Sequence, residues 1–283
     1  MKEGIISFII LFGILIILVL SLIPIYNTQP SLYINTKNTQ PSLYINTTNY
    51  AGITVYNNGL NPQFISASAD FQIPHISLPP NYNLNNSYSV SFWVGLTDYN
   101  GIENINSSFS KRYILQAGID YQYSLLNKGN WITTLWYEIY PYNETVVSSI
   151  ISNSSMGNTF NIRVSIINAV AVYFSITDLN DSLNPFYNWC GIVFYTLFNQ
   201  PEGITYSPEV LYIMETPKIN GTISYLPHLT KTFITNIFVK EYNVEQFYGD
   251  ISFYNMYKNN NLAVYSFFES SNPLIIELNP VTN

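Results

Sequence analysis

The stretch ILQAGIDYQY (114–123) brings together side chains that could do chemistry. Read with a period of two, Leu115, Ala117, Ile119 and Tyr121 make an apolar face, while Gln116, Asp120 and Gln122 share the opposite one. Only 10% of the chain is charged, so a face of two amides and a carboxylate stands out. The chain holds two histidines, His75 and His228, and one cysteine, Cys190. A histidine-rich zinc site is thereby excluded, and a Ser-His-Asp or Cys-His triad is disfavoured. The polar face is either a wet outer surface or the floor of a site.

The elements that must position these residues read as strands. Tyr (25) and Phe (17) are abundant beside Ile, Val and Thr, and such residues suit pleated, half-buried surfaces. β-like runs recur between Asn, Gly and Pro signals: FISASADFQIP (64–74), SYSVSFWVGL (87–96), YILQAGIDYQY (113–123), NWITTLWYEIYP (130–141), TFNIRVSIINAVAVYFSITD (159–178), EVLYIMETP (209–217) and TKTFITNIFV (230–239). They predict one all-β domain over residues 50–283, with an extension after about residue 243. The net charge of −7, with only 10 Lys and Arg, leaves no electrostatic footprint for nucleic acid. So few basic groups also limit positive self-repulsion in acid, which suits acidic surroundings. Cys190 reads as a small buried hydrophobe. DLNDS (178–182) reads as a turn, since its spacing matches no calcium loop.

The N-terminus differs from the rest. Residues 5–26, IISFIILFGILIILVLSLIPIY, carry no charge and are long enough to cross a bilayer. Residues 1–26 are therefore expected to form a signal anchor, one transmembrane helix that makes the membrane a partner. Lys2 before the span favours an extracellular or equivalent location for the rest. N-glycosylation acceptors begin at Asn46, Asn85, Asn106, Asn143, Asn153, Asn180 and Asn220, which agrees with that location. NTQPSLYINTK (27–37) is followed by NTQPSLYINTT (38–48), identical except at the last position. Asn, Thr, Gln and Pro pack no core, so residues 27–49 read as a stalk. SLYIN also has strand character, so the repeat could instead add a short strand pair.

Several runs resemble the glutamic peptidase (eqolisin, G1) family in order, over about residues 63–240. FQIPHISLPP resembles the family strand ending in Val-Pro, and SFWVGLTD its Trp-Val-Gly-Ile-Asp segment. ILQAGIDY resembles the strand that carries the catalytic glutamine, and LWYEIYP the Trp-Tyr-Glu-Trp-Tyr-Pro strand. VLYIMETP resembles the Ala-Glu-Trp-Ile-Val-Glu strand. The resemblance implies a concanavalin-like antiparallel β-sandwich of jelly-roll type, with a groove on its concave face. It implies Gln116 as the catalytic glutamine, and Trp93, Asp98, Asp120, Trp136, Glu138 and Tyr140 as groove residues. In a gapless match the family's first glutamate falls on Leu211 and the second on Glu215. Glu215 is thus the implied acid, with Glu209 the alternative on the same strand face. The function implied is an acid endopeptidase without metal or cofactor, acting on polypeptide. The alternative is a non-catalytic surface or virion protein whose groove binds peptide or glycan.

Overall fold

In SVSFWVGL, Phe92, Val94 and Leu96 point into one layer of packing while Ser91, Trp93 and Gly95 point into another, and the segment is an extended strand. The same alternation builds the other strands. The computed structural model describes residues 43–56, 63–97, 113–124, 129–140, 144–195, 207–219, 221–242, 250–258, 261–271 and 274–281. Its strands are β1 (Leu43–Thr47), β2 (Tyr50–Tyr56), β3 (Phe64–Gln72), β4 (Ile76–Ser77), β5 (Tyr88–Thr97), β6 (Ile114–Ser124), β7 (Asn130–Tyr140), β8 (Thr145–Ile150), β9 (Thr159–Asn168) and β10 (Ala171–Asp178). They continue with β11 (Asn188–Phe194), β12 (Glu209–Glu215), β13 (Lys218–Ile219), β14 (Thr222–Ile223), β15 (His228–Leu229), β16 (Thr232–Glu241), β17 (Asp250–Lys258), β18 (Asn261–Ser271) and β19 (Leu274–Pro280). Among the described residues there is no helix. The expected anchor over residues 1–26 lies outside them.

One large sheet runs β11-β10-β9-β3-β16-β19-β18-β17-β2-β12-β5-β6-β7-β8, antiparallel throughout, with β1 added parallel to β17. The sheet doubles over, so that β3, β9 and β10 pack against β5, β6 and β12. The core fills the space between these layers, with Phe71, Phe92, Ile119, Phe160 and Phe174 fully buried. Phe71 meets Phe92 across it at 6.2 Å between ring centres, and Tyr137 stacks on Phe174 at 5.1 Å. The expected strands are there, and TFNIRVSIINAVAVYFSITD is the β9–β10 hairpin.

Three readings change. Residues 43–47, within the segment read as stalk, form β1, because Tyr44 lies against Phe253 (5.6 Å) and Ile45 packs beside Tyr254. The first repeat copy lies outside the described residues. The segment after residue 243 is no appendage: β17 pairs with β2, and β19 pairs with β16. Cys190 is exposed, because β11 is an edge strand whose Trp189 takes the inward side against Tyr137.

Candidate active site

The opposite face of the β2-β12-β5-β6-β7 layer carries the polar residues in rows fixed by strand register. One row reads Thr54, Leu211, Gly95, Gln116, Glu138. The next reads Tyr254, Gly52, Ile213, Trp93, Gly118, Trp136. A third reads Tyr50, Glu215, Ser91, Asp120, Thr134. A belt of tryptophan, isoleucine and tyrosine therefore separates two proton-active rows. Trp93, Trp136, Ile213 and Tyr254 form one buried cluster, with Ile45, Tyr50 and Leu211 packed on it.

Gly118 makes this belt possible. A Cβ there would stand 2.7 Å from the Trp136 ring, 2.8 Å from Trp93 Cβ and 2.7 Å from Phe92 O. Only hydrogen leaves room for the two indole side chains to approach over the strand between them.

Gln116 Nε2 donates a hydrogen bond to Glu138 Oε2 on the neighbouring strand. Gln116 Oε1 is buried with no hydrogen-bond partner. On the other side Gly95 has no side chain, and Leu211 follows on the next strand, about 10 Å from Gln116 by strand spacing. The acids of the third row are held differently. Trp136 Nε1 donates to Asp120 Oδ1 (2.7 Å) and Trp93 Nε1 to Glu215 Oε2 (3.0 Å). Asn49 Nδ2 donates to Glu215 Oε1 (2.8 Å).

Burial dominates the electrostatics. It raises the Asp120 carboxyl from 3.8 to about 6, with the Ser91 hydroxyl and Trp136 N–H lowering it and the Glu215 charge adding to the rise. It raises Glu215 from 4.5 to about 7 despite the Trp93 N–H, with Glu138 adding to the rise and Lys218 and Asn49 opposing it. Glu138 is raised by burial, against the Gln116 hydrogen bond. Glu144, exposed just before β8, is raised to about 7 by burial and by the charges of Asp120 and Glu138.

Of the residues singled out from sequence, Gln116 and Glu138 meet directly. Trp93, Trp136, Asp120 and Glu215 share the same face. Glu215 lies two rows from Gln116, about 13 Å along the strands. Glu209 pairs with Thr97, one row beyond Leu211 and away from Glu215. Tyr140 ends β7, exposed, and Asp98 lies outside the described residues. Asn46, Asn85, Asn153 and Asn180 are exposed, whereas Asn106, Asn143 and Asn220 lie outside the described residues. Asp178 accepts the N–H groups of Asn180 and Asp181 and the amide of Asn158, so DLNDS is a turn. Among the described residues no group of three or more His, Cys, Asp or Glu could hold a metal.

Sequence reasoning missed Ser91, Asn49 and Glu144. Ser91 was legible, two residues before Trp93 and so on its face. Asn49 and Glu144 were not, since the first follows the repeat in a segment read as stalk and the second sits inside an acceptor triplet.

The model of the Peptidase A4 family matches residues 48–185. The fold is similar to scytalido-glutamic peptidase in crystal structures with a transition state analog inhibitor (TM-score 0.57) and with a peptide based transition state analog (TM-score 0.58). Each is 16% identical and covers 83% of this chain and 98% of that one. SCP-B, a member of the Eqolisin family of peptidases in a complex with the tripeptide Ala-Ile-His, is similar at TM-score 0.53 and 15% identity, with the same coverage. No curated protein matches the sequence. The matched segment holds Trp93, Gln116, Asp120, Trp136 and Glu138 on one sheet face, while Leu211 and Glu215 lie on that face but outside the matched residues. Over residues 48–185 the chain is thus similar to the Peptidase A4 family, the eqolisins or glutamic peptidases.

Proposed function

We propose that this chain is a membrane-anchored, extracytoplasmic acid endopeptidase in which Gln116 and Glu138 carry the hydrolytic step. The contact between them on the groove face supports this reading above all. Glu138, ionised, takes a proton from water. Gln116 Nε2 has two N–H bonds; one serves Glu138, and the other stabilises the oxyanion of the attacked peptide carbonyl. Leu211, on the Gln116 row, has no proton to give or take, which turns the work over to Glu138. The apolar segment 5–26 holds the domain outside the membrane, and the exposed asparagines of the acceptor triplets carry glycans.

The test is digestion of a denatured protein by the full-length chain between pH 2 and 7. Cleavage that Gln116→Ala and Glu138→Gln each reduce by about 100-fold supports the pair. Cleavage unaffected by Glu138→Gln rejects it. A second reading, a groove that binds peptide or glycan without turnover, is favoured by Leu211 alone. Saturable peptide or glycan binding with no product at any pH would establish it. Protease protection of the domain in sealed vesicles separates inside from outside and tests the anchor.

A further inference from the structure

The residue that follows the repeat bonds to the site. Asn49 follows the second copy and stands in the turn between β1 and β2. Its Nδ2 donates to Glu215 Oε1, and the other oxygen of that carboxylate accepts the Trp93 indole N–H. Its backbone carbonyl accepts the Thr216 N–H (2.7 Å) and the Thr216 hydroxyl (3.2 Å). Lys258 Nζ donates to that hydroxyl (2.9 Å) and so ties β17 to the same point. Thr47 and Tyr50 close the turn through the Thr47 hydroxyl. Tyr50 then meets Tyr254 of the belt edge-on at 5.2 Å.

We propose that the turn following the repeat is a working part of the site: Asn49 is a positioning residue that fixes Glu215 and, through it, the Trp93 indole. Glu215 is half-buried with both carboxylate oxygens engaged, which fits it to orient the indole. A spacer would need no bond to the site it spaces. Here the turn that follows β1 is bolted to the end of β12 by three hydrogen bonds, and the same carboxylate holds the Trp93 indole. A pull or twist on β1 therefore reaches Trp93 through two hydrogen bonds.

The duplication supplies a clean test. Removing residues 38–48 joins Lys37 to Asn49 and rebuilds the same sequence before Asn49, with Lys in place of Thr48. Removing 27–48 leaves no copy. The readout is the indole N–H resonance of Trp93 in the full-length chain, assigned by Trp93→Phe. It needs no catalysis, so it stands even if the hydrolytic reading fails. The kinetic arm rests on that reading. The 38–48 deletion is expected to keep the resonance and the KM of the intact chain. Asn49→Ala is expected to move the resonance and raise KM about tenfold, with kcat within about twofold, as one positioning hydrogen bond is lost. The 27–48 deletion is expected to move the resonance as Asn49→Ala does. An unmoved resonance in Asn49→Ala overturns the proposal, as does a 38–48 deletion that behaves like the 27–48 deletion.

Discussion

The Gln116 amide has two ends with different surroundings. Nε2 is bound to Glu138, while Oε1 is buried with no partner, and the Trp93 ring lies over the neighbouring Gly95. An orphaned buried acceptor costs about 1–3 kcal/mol, so a ligand donor that reaches it gains that much. Leu211 lies beyond Gly95 on the same row. Leu211→Glu would put a carboxylic acid there, able to donate to Oε1 when neutral and to activate water when ionised. It is expected to raise peptide cleavage in acid at least about tenfold, measured as kcat/KM, whereas Leu211→Gln, which cannot take a proton, should not. Equal rates in the two variants would remove Leu211 from the account. The sequence made part of this visible. Period two alone set Gln116 and Asp120 on one face. Register between strands, which decides that Gln116 meets Glu138 and that Glu215 meets Trp93, is a long-range property that no single strand encodes.

The strands place the groove through two glycines in the belt row, Gly52 and Gly118. Gly52 has φ of +146° within β2, and a Cβ there would lie 2.1 Å from Tyr212 O. The residue strains any L side chain and collides with backbone, which cannot swing aside. Gly52→Ala is therefore expected to lower stability by several kcal/mol, read as the urea midpoint. Gly118→Ala instead presses on the Trp136 ring as well as on Phe92 O. It is expected to shift tryptophan fluorescence and weaken peptide binding. Unchanged spectra would mean that the indoles do not depend on Gly118. The existence of β3, β5, β6, β7, β12 and β16 was plain from turn-bounded runs of aromatic and β-branched residues. β1 was visible only as the alternative reading of SLYIN, since its Leu-Tyr-Ile core is short and framed by Asn, Thr, Gln and Pro. Only the wall offered by Phe253 and Tyr254, some two hundred residues away, makes it a strand.

At the scale of the molecule, the buried acids set how stability depends on pH. Asp120 titrates at about 6 in the fold and 3.8 when free, and Glu215 at about 7 against 4.5. A folded pKa above the unfolded one means that the fold binds the proton more tightly than the open chain. The stabilisation is thus complete below about pH 4 and is lost as pH rises through 6 and 7. For Asp120 alone the shift amounts to on the order of 3 kcal/mol. Glu215 acts in the same direction, but its charge is one of the causes of the Asp120 shift, so the two do not add. The chain also has 17 acids and 10 Lys and Arg, so protonating carboxylates first brings its net charge of −7 toward zero. Both effects favour acid. The melting temperature of the chain is therefore expected to be higher at pH 4 than at pH 7.5. Asp120→Asn and Glu215→Gln keep the hydrogen-bond acceptors for Trp136 and Trp93 but cannot ionise, so each should flatten that difference, mostly by raising the value at pH 7.5. A melting temperature that climbs from pH 4 to pH 7.5, or that the two amide variants leave equally steep, would show that the groove acids do not govern it. The same titration bounds the proposed hydrolysis. Glu138 must lose its proton to act as base, so the rate rises with pH above the ordinary glutamate value of 4.5. It falls again where Asp120 and Glu215 ionise and loosen the fold, and Asp120→Asn should extend that falling limb to higher pH while leaving the rising one in place.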